Sequence, residues 1–437
     1  IAFSAGIINF GIFPAVGAQF FMHYCGLPES ILGIPMFPLV MIFLLSISLY
    51  FVYTGGQIAV IIADFFQGVF VNIIFMAMII FLFFSVGWDQ ITEAMEQTPV
   101  KLAQEEIIKT RSDLSFSKLT ETEQNIKIEN INEKYENSSR INPFKTSHVE
   151  DFNFWYFLIG IIGVMYGTMS WQGSQAYNAS AKSAHEAKMG GVLTGFRGIP
   201  QALFFLFAPI TIYVFMNHVD YQSLAVSVNA SIDQLATDSL RTQLRAPLVL
   251  SKVLPVGLLG AFAALMLAAF ISTHDTYLHS WGSILIQDVI MPFRDKPFDK
   301  EAHLKVLRYS IFGVAIFIFL FSLLFQQNQK IALFFAITGA IFASGSGAVI
   351  IGGLYWKKGT TAAAWTAMST GAIIAVGGLI VQKVDPGWLA DTSLTVGLKN
   401  TITFLANING QVYWAIGMGT STLSYIAVSL LGKQTNF

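Results

Sequence analysis

The chain has 437 residues, 54% hydrophobic and only 12% charged, whereas a water-soluble domain carries about 25% charged residues. A formal net charge of −1 argues against a nucleic-acid partner, because binding a phosphate backbone needs a strong basic excess. Cys25 is the one cysteine, which excludes an intrachain disulfide.

Ten segments are long and poor enough in charge to cross a hydrocarbon core, a task for about 20 apolar residues. In chain order they are roughly 1–24, 31–54, 58–87, 154–180, 190–217, 253–289, 304–326, 330–356, 360–382 and 410–432. In lipid every backbone N–H and C=O must be satisfied within its own segment or in a closed barrel. None of the ten runs shows the period-two alternation of barrel strands. All ten are predicted as helices, which gives an all-α polytopic membrane protein with a single transmembrane domain over 1–437. The chain opens at Ile1 directly in an apolar run, with no basic region or cleavage site before it. A fragment lacking its natural N-terminus is expected.

Spans three and four are separated by a polar insert, residues 88–151, with eight Lys or Arg against thirteen Asp or Glu. Stretches such as 99–111 suit surface helices, but this Ser/Asn/Glu/Lys mixture is not expected to support a core of its own. Three loops are basic: Lys182, Lys188 and Arg197 follow span four, Arg294, Lys296, Lys300, Lys305 and Arg308 follow span six, and Lys357 and Lys358 follow span eight. The positive-inside rule places these loops in the cytoplasm, and counting back leaves the acidic insert outside.

Spans two and three meet at Tyr53-Thr54-Gly55-Gly56, followed by Gln57, Ala63-Asp64 and Gln67. The glycine pair permits a tight turn with positive φ. A carboxylate at hydrocarbon depth, as at Asp64, costs on the order of 3 kcal/mol, so its default reading is functional. Trp171, Gln172, Ser174, Gln175 and Tyr177 form a polar-aromatic patch at the end of span four. Thr338, Ser344 and Ser346 form another in span eight, among Gly339, Gly345 and Gly347, where small residues usually mean close helix packing. From these patches Trp171, Gln172, Gln175 and Thr338 are the candidates for a solute cavity.

Span six carries the chemistry. Ala269, Ser272 and Thr273 fall at i, i+3 and i+4 and share a helical face, offering hydroxyl and carbonyl oxygens that suit a hard cation. The competing reading is that both hydroxyls bond back to their own helix. Ser272, Asp275 and Thr276 repeat the same spacing. His274, Asp275 and His279 point in different directions, unlike the i, i+4 pair of a zinc helix. No zinc-type metal site and no organic cofactor is expected.

Gly353-Leu354-Tyr355-Trp356-Lys357-Lys358, then Gly359-Thr360-Thr361-Ala362, Ala363-Ala364 and Ala367 to Gly371, resembles a signature of the sodium:solute symporter family. Ala363 stands where that family usually has Gly. The Gly55-Gly56 junction is similar to a second family motif, from which Gln57 and Phe51 depart. Gln175 to Gly191 loosely resembles the segment leaving the sixth core helix, with Tyr177-Asn178 near the place of the usual Arg. Ala269 to Thr273 matches the family's Ala-x-x-Ser-Ser/Thr, its best-attested sodium ligands.

The resemblance implies a LeuT-like five-plus-five inverted repeat. Spans one to eight would be core helices three to ten and the last two spans family extras, so the bundle would lack its first two core helices. It implies a sodium-coupled secondary active symporter that imports a small solute (a sugar, amino acid, carboxylate or similar) by alternating access. Sodium would bind at Ala269, Ser272 and Thr273. A second cation site, as in some family members, would use Asp64, Ser272, Asp275 and Thr276. The expected location is the plasma (inner) membrane, multi-pass, with solute, sodium and the lipid bilayer as partners and no obligate protein partner. An alternative of another class is a membrane solute sensor on the same scaffold, which would carry a regulatory domain that Lys433–Phe437 leaves no room for. An enzyme is not expected, because no nucleophile or metal constellation stands near the headgroups.

Overall fold

The computed structural model describes residues 1–113, 116–136, 142, 151–167, 170–171, 175–325 and 330–432. Among these, eight helical stretches are long and apolar enough to cross a membrane. The first is broken into α1 (Ala2–Phe10) and α2 (Phe13–Tyr24). Pro14 lies in the first turn of α2, where its missing N–H costs nothing. A hairpin of two-residue strands, β1 (Ser30–Ile31) and β2 (Ile34–Pro35), leads into α3 (Met36–Ser85). Two predicted spans run together in α3, kinked at Gly56 with φ 55° and ψ −155°, a conformation that only glycine adopts without strain.

The insert forms α4 (Trp88–Ser112) and α5 (Glu121–Glu136). Against expectation it buries apolar side chains, Ala103, Phe116 and Ile131, because the two helices fold back on each other. Glu106 accepts a hydrogen bond from the Tyr135 hydroxyl at 2.5 Å and pairs with Lys134 at 3.2 Å. The Tyr135 bond, ahead of the lysine, holds its carboxyl below the usual range.

The span predicted as one helix over 154–180 is not continuous. α6 (Phe154–Tyr166) stops at Gly167, and helix resumes in α7 (Gln175–Ala179). The Ser170 amide and hydroxyl both return to the Gly167 carbonyl, at 3.0 and 2.7 Å, and close a turn where the helix would continue. There follow α8 (Ala184–Asn217), α9 (Gln222–Asp233), α10 (Asp238–Val253) and α11 (Val256–Ile284), which continues through a π turn to Ile290. The chain ends in α12 (Lys300–Leu324), α13 (Ile331–Tyr355), α14 (Thr361–Val381), α15 (Pro386–Asp391), α16 (Val396–Ala406) and α17 (Gly410–Leu431).

Side chains such as Phe84, Phe43, Ile373 and Leu430 stand exposed on the outside of the bundle, as lipid rather than water requires. Inside, α3 packs on α11, while α13, α14 and α17 form a second tight group. A Cβ at Gly345 would lie 2.6 Å from the Met368 Cα and 2.8 Å from the Ala367 carbonyl oxygen. The α13 and α14 backbones therefore touch, with Ser344 and Ser346 buried beside the contact. Gly345→Val is expected to exceed the about 1–3 kcal/mol typical of overpacking, since backbone cannot swing aside. Heating the detergent-solubilised variant and following its gel-filtration peak should show aggregation well below the wild-type temperature; an unchanged profile would mean that the helices do not meet here.

Candidate cation site

Asp64 sits on the second half of α3, where that helix packs against α11. Its carboxylate accepts hydrogen bonds from the Ser272 hydroxyl at 2.5 Å and the Thr276 hydroxyl at 3.3 Å, and from the Tyr177 hydroxyl of α7. The Tyr177 and Thr276 oxygens are themselves 2.6 Å apart. Three hydroxyls from two helices thus converge on one acid. Among the described residues no Lys, Arg or His pairs with it. Hydroxyl donors solvate a carboxylate but bring no net charge, and each oxygen keeps lone pairs for a cation.

Asp275 is fully buried on α11, and neither carboxylate oxygen makes a hydrogen bond of normal geometry among the described residues. The Thr276 amide and hydroxyl reach it only as weak donors, and the Asp64 charge repels it. Two carboxylates in one apolar layer repel unless a cation or proton compensates them. Of the sequence-predicted group, Asp64, Ser272 and Thr276 are joined by hydrogen bonds, with Tyr177 added, while Asp275 makes no hydrogen bond to Asp64 or Ser272 and meets Asp64 only through its charge.

A cavity of about 770 Å³ opens between α3, α8, α10 and α11, and Ala269, Ser272 and Thr273 stand on its wall. The Ser272 hydroxyl reaches across to Asp64 instead of bonding back to its own helix. Of the solute-cavity candidates, Trp171 and Thr338 do not line this cavity. The Trp171 indole donates to the Tyr277 hydroxyl at 3.2 Å and meets Trp281 edge-on. Thr338 is buried; its hydroxyl donates to the Phe334 carbonyl at 2.6 Å and accepts from the Asn9 amide at 2.7 Å, tying α1 to α13. Gln172 lies outside the described residues, as does the side chain of Gln175. His274 stacks on Phe270 and bonds to its carbonyl.

Sequence reasoning placed Tyr177 in an aromatic patch and missed its bond to Asp64. Its position near the family's usual Arg was the one available signal. Gln67 and Arg197 on the cavity wall were missed too.

The model of the sodium:solute symporter family matches residues 4–371. No curated protein matches the chain. Among solved structures the fold is similar to that of a Na+-coupled sialic acid symporter in a substrate-bound outward-open state, described as revealing a novel Na+ site. The TM-score is 0.62 at 16% identity, over 100% of this chain and 75% of that one.

Proposed function

Because this chain belongs to the sodium:solute symporter family, we propose that it is a sodium-coupled secondary active symporter that imports a small solute by alternating access. Membership makes it a multi-pass membrane transporter and not an enzyme; the plasma (inner) membrane is our reading of its location. The observation that carries the proposal is the position of Ser272, on the cavity wall and in contact with Asp64. The Ala269 carbonyl with the Ser272 and Thr273 hydroxyls forms the first sodium site. Asp64, Ser272, Asp275 and Thr276 form the second, for sodium or a proton. A cation bound there stabilises the state that also binds solute, and the resulting coupling is reciprocal. The Na+ coupling of the structural neighbour supports this reading.

The test is uptake of a panel of solutes into proteoliposomes under an imposed sodium gradient. Accumulation should collapse when sodium is replaced by choline; accumulation that ignores the replacement would refute the coupling.

We further propose that 1–437 is one transmembrane domain with residues 88–151 outside the cell. In a Cys25→Ser background, Asn130→Cys should react with an impermeant thiol reagent on intact cells, and Lys358→Cys should be protected. The opposite pattern would invert every span.

A further inference from the structure

We propose that Tyr177 is a ligand of the second cation site and that a sodium ion bound there holds α7 docked on α3 and α11, an inference that rests on the symporter reading. The two halves of the broken span are fixed to different parts of the bundle. α6 is held by α13 and α17. The Tyr166 hydroxyl donates to the Ser344 carbonyl at 2.6 Å and the Gln411 amide donates to the Tyr156 carbonyl at 3.2 Å. The Trp414 ring fills the space at Gly163, where a Cβ would come within 2.4 Å of it.

α7 is held by α3 and α11 instead. The Tyr177 hydroxyl donates to the Asp64 carboxylate and stands 2.6 Å from the Thr276 oxygen. Its ring packs against the buried cluster that includes Val60, Leu278 and Trp281. One residue past α7, the Ser180 hydroxyl accepts from the Gln57 amide at 3.1 Å, just beyond the kink in α3. A helix as short as α7 is marginal by itself, so these contacts set its position.

Tyr177, Ser272 and Thr276 carry one hydroxyl proton each, and every oxygen keeps lone pairs when that proton is donated. A phenolic oxygen is a neutral, hard ligand, as serine and threonine hydroxyls are. A sodium ion among Asp64, Thr276 and Tyr177 keeps all these ligands only while α7 is docked, because Tyr177 departs with α7. Its affinity therefore differs between the docked and undocked states, the condition for an ion to shift that equilibrium. The linkage is reciprocal, and undocking α7 loosens the ion. In the topology proposed above, Lys182 and Lys188 put the chain beyond α7 in the cytoplasm, the side on which an importer releases sodium.

The experiment follows amide hydrogen exchange of α7 in the detergent-solubilised protein, in sodium and in choline, beside sodium activation of uptake in proteoliposomes. Sodium should slow α7 exchange about fivefold or more, the lower end of ordinary coupling between sites. Tyr177→Phe keeps the ring and loses the ligand. It should abolish that slowing, lower the Hill coefficient and raise the half-activating sodium concentration about tenfold, the loss of one hydrogen-bond-sized contact. Gln57→Ala removes the tie that touches no cation ligand. There α7 should exchange faster in both salts, with the ratio between them and the Hill coefficient kept.

Wild-type α7 that exchanges alike in sodium and choline overturns the proposal. So does a Tyr177→Phe protein of normal gel-filtration profile whose α7 still slows in sodium, or whose sodium activation is unchanged. Sodium-driven uptake beside an α7 indifferent to sodium would refute the docking and keep the symporter. Uptake that ignores the sodium gradient, with α7 slowed by sodium through Tyr177, would do the reverse.

Discussion

Asp64→Asn should lower the Hill coefficient for sodium-driven uptake to near one and cut uptake at low sodium by more than a hundredfold. Asparagine keeps the shape and an acceptor oxygen for Ser272, Thr276 and Tyr177, so the fold survives. What disappears is the charge. A unit charge about 4 Å from a cation is worth about 4 kcal/mol at an effective dielectric near 20, far more than a neutral amide oxygen returns. Asp275→Asn should act in the same direction, because among the described residues its buried carboxylate has no ion pair and no hydrogen bond of normal geometry, only weak donors on its neighbour Thr276. If the site holds a proton instead of a second sodium, the same two variants should flatten the pH dependence of uptake and leave the sodium Hill coefficient alone. Sodium titrations of initial rates at several pH values separate the two cases. Wild-type behaviour of both variants across sodium and pH would mean that no second site exists.

The spans were legible because lipid leaves a simple signature: length, absence of charge and the need for internal hydrogen bonding. The same signature hid the break after Tyr166, since apolar residues continue past it and the closing turn depends on Ser170. Arg197 was counted as a loop charge, yet it lies in the helix α8, because a charge count reads composition and not secondary structure. Spacing on α11 placed Ser272, Asp275 and Thr276 on one stripe. It could not bring Asp64 to them across 208 residues; that pairing came from the family resemblance. Tyr177 escaped because a five-residue helix restart has no periodicity to read. The span-eight patch was ambiguous for a different reason. Small polar residues serve packing and binding alike; in the structure Thr338 bonds to Asn9, and Ser344 and Ser346 lie beside the α13–α14 contact.

Ser272 is the residue that the two proposed cation sites share. Its hydroxyl donates to Asp64 at 2.5 Å while its oxygen stands on the cavity wall beside Ala269 and Thr273. Thr273 belongs to the first proposed site alone. Thr273→Ala should therefore raise the half-activating sodium concentration about tenfold, the loss of one hydrogen-bond-sized ligand contact, with the Hill coefficient unchanged. Ser272→Ala removes the same kind of ligand and also strips a donor from Asp64, so it should shift activation further and reduce the Hill coefficient. Thr273→Ser keeps the hydroxyl and should behave as wild type. The shared hydroxyl also makes Ser272 and Asp64 non-additive: in the double variant Asp64→Asn with Ser272→Ala, the second substitution should cost less than it does alone. Asp64→Asn with Thr273→Ala should be additive, since those side chains share no hydrogen bond. Sodium activation curves for the four single and two double variants, at matched surface expression, decide the matter. Unchanged sodium dependence in both Ser272→Ala and Thr273→Ala would remove the first sodium site from α11.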